Sequence, residues 1–304
     1  MKKMKKYSLW LMILLLIYSC ETDIDLDLPE YKEKIVVEGI IENGKPPMVL
    51  ITKSIPYFSE INSAEMLEKL IINDAKVTIT SDKGELEVLT YGVHADSPLF
   101  FAYTGFSLKG TCDTRYKLTI EYADKTYESE TYIPNTFELD SIWIAKLRPE
   151  DTTATVRVLL NDDGASRDYY QFKVKVKGNG LNDRLWAFTL PLTFDDATFN
   201  GLVFNYEILR ATPSSLYAAA LSDEEKRKYW RGDYRVGDTI YVKRSLMDYD
   251  SYRFWSTAMS EISFGQSTFM SPPPIQGNIK CNTGEHVLGS WCGFASKEDT
   301  VYFR

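Results

Sequence analysis

The sequence predicts a mainly β protein of two sandwich-like domains, the second carrying inserted helices. Three observations support this. Segments in which apolar and polar residues alternate recur between residues 34 and 177, and such alternation puts one face of a strand in a core and the other in water. Clusters of Gly, Pro, Asn and Asp punctuate them at hairpin spacing. Spacings of three and four residues, the mark of an amphipathic helix, gather in the second half.

Residues 1–19 read as an export signal. Lys2, Lys3, Lys5 and Lys6 give a positive start, and residues 9–17 are an unbroken apolar run. Crossing about 30 Å of hydrocarbon as a helix takes roughly 20 residues, so this run is too short for a span and fits a cleaved leader. The seam Ile17-Tyr18-Ser19-Cys20 resembles a bacterial lipoprotein box, apolar first and small before the cysteine, although Tyr18 departs from its commonest form. That resemblance implies cleavage before Cys20 and acylation of its mature end. Loss of residues 1–19 removes four lysines and no acid, leaving 31 basic against 43 acidic residues and a charge of −12. A chain so acidic repels phosphate backbones, and nucleic acid is not an expected partner.

Residues 20–33 form an acidic tether. Asp23, Asp25 and Asp27 alternate with Ile24, Leu26 and Leu28. A calcium loop would need a turn glycine and a closing glutamate, both missing, so a solvated edge segment is the expectation. The first sandwich domain covers residues 34–135. Strands at 34–41 and 48–53 flank the turn Asn43-Gly44-Lys45-Pro46-Pro47, and strands at 75–80 and 85–90 flank Ser81-Asp82-Lys83-Gly84. Tyr116, Leu118, Ile120 and Tyr122 line one strand face, and a tight turn at Ala123-Asp124-Lys125 leads to a second strand ending at Ile133. A short helix is expected at 63–70, with Met66, Leu67 and Leu70 on one side.

Pro134-Asn135 marks the joint, and residues 136–304 form the second domain. Strands are expected at 138–147, 153–160 and 169–177, with the turn Asn161-Asp162-Asp163-Gly164 between the last two. Residues 222–230 begin with Ser222 as a cap, place acids in the first turn and bases in the last, and should be a helix. A second helix is expected over 246–262, where Tyr252, Trp255, Met259 and Ile262 recur at three- and four-residue steps and Trp255, Met259 and Ile262 form the stripe that packs on the sheet. Arg231-Gly232-Asp233 spells an adhesion tripeptide but reads as a helix stop. The strand spacing suits an immunoglobulin- or fibronectin-like sandwich, or a transthyretin-like one.

Residues that could carry chemistry are few. The two histidines, His94 and His286, have no Gly-x-Ser-x-Gly elbow to serve, and His94 reads as a loop residue. Adjacent acids occur at Asp162/Asp163, Asp195/Asp196 and Glu224/Glu225. A glycosidase needs two carboxylates facing across a cleft, whereas acids in turns and first helical turns have ordinary solvation and dipole roles. Export would permit a disulfide, and Cys281 with Cys292, separated by a short loop, is the candidate pair; Cys112 is then an unpaired thiol. With His286 these two cysteines form Cys-x4-His-x5-Cys, but a fourth ligand is missing and no metal is expected. Among the aromatic residues of the second half, Trp230 and Tyr234 lie beside a turn and are the candidates for binding a partner or ligand.

Three stretches taken together, residues 19–58 (SCETDIDLDLPEYKEKIVVEGIIENGKPPMVLITKSIPYF), 116–134 (YKLTIEYADKTYESETYIP) and 262–294 (ISFGQSTFMSPPPIQGNIKCNTGEHVLGSWCGF), resemble the Bacteroidota outer-membrane lipoprotein family catalogued as domain of unknown function 4249. The resemblance implies a surface-facing outer-membrane lipoprotein, anchored by acyl groups such as palmitate on Cys20. In it Glu21, Asp23 and Asp25 match loosely the acidic signal for transfer to the outer leaflet. The resemblance also implies a companion of TonB-dependent transporters. It supplies no catalytic residues and no cofactor, so the expected role is non-enzymatic: an accessory or substrate-capturing partner. The alternatives are a surface hydrolase acting on peptide or glycan, and a structural or adhesive surface protein. The Cys281/Cys292 pair lies outside the family's pattern.

Overall fold

Alternating sequence becomes strand through most of the chain in this computed structural model. The structure describes residues 31–56, 69–94, 97, 99, 101–146, 148–177, 186–210, 234–264 and 273–304. Among the described residues seven strands precede the expected joint: β1 (Ile35–Glu42), β2 (Met48–Lys53), β3 (Lys76–Ser81), β4 (Leu86–Val93), β5 (Phe101–Thr104), β6 (Thr114–Tyr122) and β7 (Lys125–Ile133). Then follow β8 (Leu139–Ala145), β9 (Thr153–Asn161), β10 (Tyr169–Val176), β11 (Ala187–Leu190), β12 (Phe194–Asp195), β13 (Val203–Arg210), β14 (Tyr234–Arg235) and β15 (Thr239–Met247). Helix α1 (Tyr249–Phe264) and strands β16 (Lys280–Cys281) and β17 (Leu288–Tyr302) complete the described elements. The chain is mainly β. The helix expected at 222–230 lies outside the described residues, as does all but the end of the one expected at 63–70.

The β6–β7 hairpin shows how locally some of this is determined. Tyr122 pairs with Lys125 across a two-residue loop, and both loop residues, Ala123 and Asp124, have positive φ (49° and 59°). That double left-handed turn has the twist that neighbouring strands need. Along β6, Tyr116, Leu118 and Ile120 are buried while Arg115 and Glu121 face water, as the alternation predicts.

Pairing runs from β16 through β7, β6, β3, β4, β5, β2 and β1 to β17, then to β15 and β10. From β10 it continues through β11 and β13 to β9 and β8. The joint expected at Pro134-Asn135 falls between β7 and β8, yet strand pairing crosses it. The first part of β17 lies parallel to β1, with Val36 opposite Leu288 and Glu42 opposite Phe294. The rest of β17 lies antiparallel to β15, from Phe294 opposite Met247 to Tyr302 opposite Thr239. Residues Glu33–Arg304 accordingly form one compact unit, in which the last strand of the chain belongs to the sheets of both halves.

Trp291 is the keystone of the first half. Its indole is fully buried and donates from Nε1 to the Tyr116 carbonyl on β6 at 3.1 Å. Its neighbour across the ladder is Gly39, where an added Cβ would come within 2.6 Å of the ring. The proline-led stretch before β16 has a defined task. The Asn278 amide donates to the Trp291 carbonyl and accepts from the Trp291 N–H, each at 2.8 Å, and so caps that strand position as a neighbouring strand would.

Helix α1 starts three residues later than its apolar spacing suggests. Leu246 and Met247 belong to β15, opposite Tyr170 and Phe294. Asp248 then caps the helix by accepting from the Ser251 N–H at 2.8 Å. Its other oxygen accepts from the Thr131 hydroxyl and the Tyr132 N–H on β7, both at 2.8 Å, which fixes the helix to the first half. Tyr252, Phe254 and Trp255 pack with Met247, Cys292 and Phe294 as a second core. Trp255 thus packs on the sheet as expected.

Candidate functional site

Of the lipid, disulfide and binding candidates named from the sequence, the described ones, Tyr234, Cys281 and Cys292, each sit in a different strand. Cys20, Glu21, Asp23, Asp25 and Trp230 lie outside the described residues. Tyr234, a candidate for binding, is instead fully buried: it opens β14, pairs with Ala154 of β9 and lies in the main core. Its ring cannot meet a partner from solution.

Cys281 and Cys292 are both free thiols, not the disulfide the short connection suggested. They serve different layers. Cys281 sits in β16 opposite Tyr127 and packs on the main core, whereas Cys292 points into the second core under α1. His286 joins Lys280 in a bridge at the hairpin, and the three residues form no cluster of metal-ligating atoms. Burial pushes the Cys292 thiol up to about 11. Iodoacetamide at pH 8 should therefore label Cys281 in the native protein and reach Cys292 only after denaturant is added. A peptide containing both cysteines joined, found in an unreduced digest, would contradict this arrangement.

Among the described residues, ligand-type side chains converge in one place. The oxygens of Asp162, Asp168 and Asp196 lie within 4.8 Å of one another. Asp162 and Asp196 come from two of the adjacent acid pairs noted in the sequence. Asp168 gave no signal there, having no acidic neighbour in the chain. Strand register brings them together. Val203 at the start of β13 pairs with Asn161 at the end of β9, and Asp195 of β12 pairs with Tyr169 at the start of β10. The two connections, 162–168 and 196–202, therefore meet at one end of the second half.

Each carboxylate is held differently. Asp162 accepts the Tyr170 hydroxyl on Oδ1 at 2.7 Å, and the N–H groups of Gly201 (2.7 Å) and Gly164 (3.1 Å) on Oδ2. Close approach of those two backbones requires glycine, because a Cβ at Gly164 would stand 2.8 Å from the Gly201 Cα. Asp168 accepts the Ser166 hydroxyl at 3.0 Å and donates its own N–H to Asp196 Oδ2 at 2.8 Å. Burial raises the Asp168 carboxyl above its ordinary range, and the neighbouring Asp162, Asp163 and Asp196 add to the effect. Burial likewise raises the Tyr170 phenol, reinforced by its bond to Asp162.

Asp162 and Asp196 are only 5 % and 1 % exposed. A sugar needs open access to both carboxylates, so these acids are not arranged for glycoside hydrolysis. What they can do is surround a small ion. No lysine or arginine pairs with the three among the described residues, and the adjacent Arg167 is taken by Asp195.

A second polar cluster lies beside α1. The Lys173 ammonium stands 4.9 Å from the Phe188 ring, 5.3 Å from Phe294 and 5.7 Å from Trp255. Burial, with Lys243 alongside, pulls the Lys173 ammonium down to about 8. Glu42 pairs with Lys243 at 3.1 Å and with Lys45 at 2.9 Å, and this balances part of the charge. Of these lysines Lys173 reaches the helix, through the Trp255 ring, while Lys243 and Lys45 share the Glu42 carboxylate.

The family model described as "Domain of unknown function (DUF4249)" matches residues 21–300. Among curated proteins none matches the chain.

Proposed function

The chain belongs to the DUF4249 family, and from that premise we propose that it is a surface-exposed outer-membrane lipoprotein of Bacteroidota type. It performs no chemistry of its own and serves a TonB-dependent transporter as an accessory or substrate-capturing partner. One observation carries this reading. The lysine-led apolar run ends at Ile17, the lipoprotein-like seam closes at Cys20, and the family match begins at the next residue, Glu21. The leader is then discarded, Cys20 holds the lipid, and the family's part of the chain begins where the chain leaves the bilayer. The acids Glu21, Asp23 and Asp25 follow directly and suit export to the outer leaflet. A charge of −12 after processing keeps such a surface soluble and away from nucleic acid.

Affinity purification of the full-length protein from outer membranes in mild detergent tests the partnership. A transporter recovered in amounts comparable to the bait is the expected result. Recovery of the bait alone, under conditions that preserve other membrane complexes, would remove the transporter from the reading.

A further inference from the structure

We propose that Asp162, Asp168 and Asp196 form a calcium site that ties the connection after β9 to the connection after β12. Three carboxylate oxygens within 4.8 Å of one another match the geometry of one ion. Calcium binds oxygen at about 2.3–2.6 Å, so ligands on opposite sides of it stand about 5 Å apart.

Clustered acids alone would not make a site, and Asp196 supplies the second observation. It is 1 % exposed, its Oδ2 is occupied by the Asp168 N–H, and its Oδ1 is buried with no hydrogen-bond partner. An ionised oxygen removed from water and left without donor or cation is costly, and native structures rarely retain one. Asp196 is the one of the three whose carboxylate keeps a buried oxygen with no hydrogen-bond partner.

The remaining contacts orient the set without filling it. The Tyr170 hydroxyl and two backbone N–H groups fix Asp162, and the Ser166 hydroxyl fixes Asp168. Donors of this kind orient a carboxylate, as outer partners do in metal sites. The donor set is all oxygen with no imidazole or thiolate, which selects a hard cation over zinc or copper. Irregular connections and three carboxylates suit calcium, which accepts six to eight oxygens in flexible geometry. Magnesium demands a near-ideal octahedron at about 2.0–2.1 Å and keeps several waters.

Calorimetric titration of the full-length protein, purified in detergent and stripped with EGTA, tests the assignment. Calcium should bind at one ion per chain with a dissociation constant of about 1 mM or tighter, in the range of extracellular modules, and should raise the melting temperature. Asp196→Asn should keep the far-ultraviolet dichroism of the wild type, weaken calcium at least about tenfold, and abolish the thermal shift. If that variant fails to fold, Asp168→Asn, at a half-buried position, takes its place with the same expected loss. A stripped wild type that takes up no calcium would overturn the proposal. So would a folded variant that titrates like the wild type, or a preference for magnesium or manganese over calcium.

Discussion

Cys20→Ser is expected to move the protein from the membrane fraction to the soluble fraction of the cell. The lipid carries the whole attachment in this reading. Hydrocarbon contributes about 0.8 kcal/mol per buried methylene, and a single chain gives binding only on the order of 10⁴ M⁻¹, so lasting anchorage needs more than one chain on the same cysteine. Removing the sulfur removes all of them together. Among the described residues no helix is long and apolar enough to cross a membrane. Fractionation followed by intact-mass measurement provides the check. Wild type should carry the added mass of acyl chains on a chain that begins at residue 20, and the variant should carry none. A variant that sediments fully with membranes after a high-salt wash would end the anchoring argument.

Trp291→Ala is expected to produce the largest loss of stability from any single core change considered. Truncating a buried tryptophan costs about 3–5 kcal/mol through lost transfer free energy and the cavity left behind. Losing the bond to the Tyr116 carbonyl adds about 1 kcal/mol. A domain with a total stability of about 5–15 kcal/mol loses a large part of it. Urea unfolding should show the midpoint falling steeply, while Trp291→Phe, which keeps most of the apolar bulk, falls by less. Gly39 supplies an internal control. Gly39→Ala alone drives a Cβ into the indole, but in the Trp291→Ala background that obstruction is gone. The double variant should therefore be more stable than the sum of the two losses implies, by about 1–3 kcal/mol. Strict additivity would mean that the two residues do not oppose each other across the ladder.

The parts of the fold legible in the sequence are those whose neighbours are close in the chain. The β6–β7 hairpin, the β3–β4 hairpin around Gly84 and the strands β8 to β10 follow from alternation and turn residues within about twenty positions. Strand β17 gave no such signal. From Ser290 to Ala295 it is buried on both faces, so nothing alternates, and Gly289 and Gly293 look like breakers. Gly289 in fact sits at φ 94° with the Val37 carbonyl 2.0 Å from where a Cβ would be, a requirement set by β1 some 250 residues earlier. The aspartate cluster was half visible. Asp162 and Asp196 stood out as paired acids, but Asp168 joins them only through the registers of β9 with β13 and β10 with β12. Tyr234 misled because an aromatic beside a turn in sequence says nothing of which way the short strand β14 faces. The paired cysteines misled for a related reason, since closeness along the chain placed them on opposite sides of a layer.

Strand β17 also sets an order of events during biogenesis. A polypeptide emerges from synthesis with its beginning first, and β1 appears long before the partner that must lie beside it. Until residues 288–294 arrive, β1 has an open edge and the hollow filled by the Trp291 indole stands empty. The leading half thus cannot complete its core before the last strand arrives, and one edge of β1 stays unpaired until then. A product cut short before residue 288 lacks both the parallel partner of β1 and the indole that fills the first half.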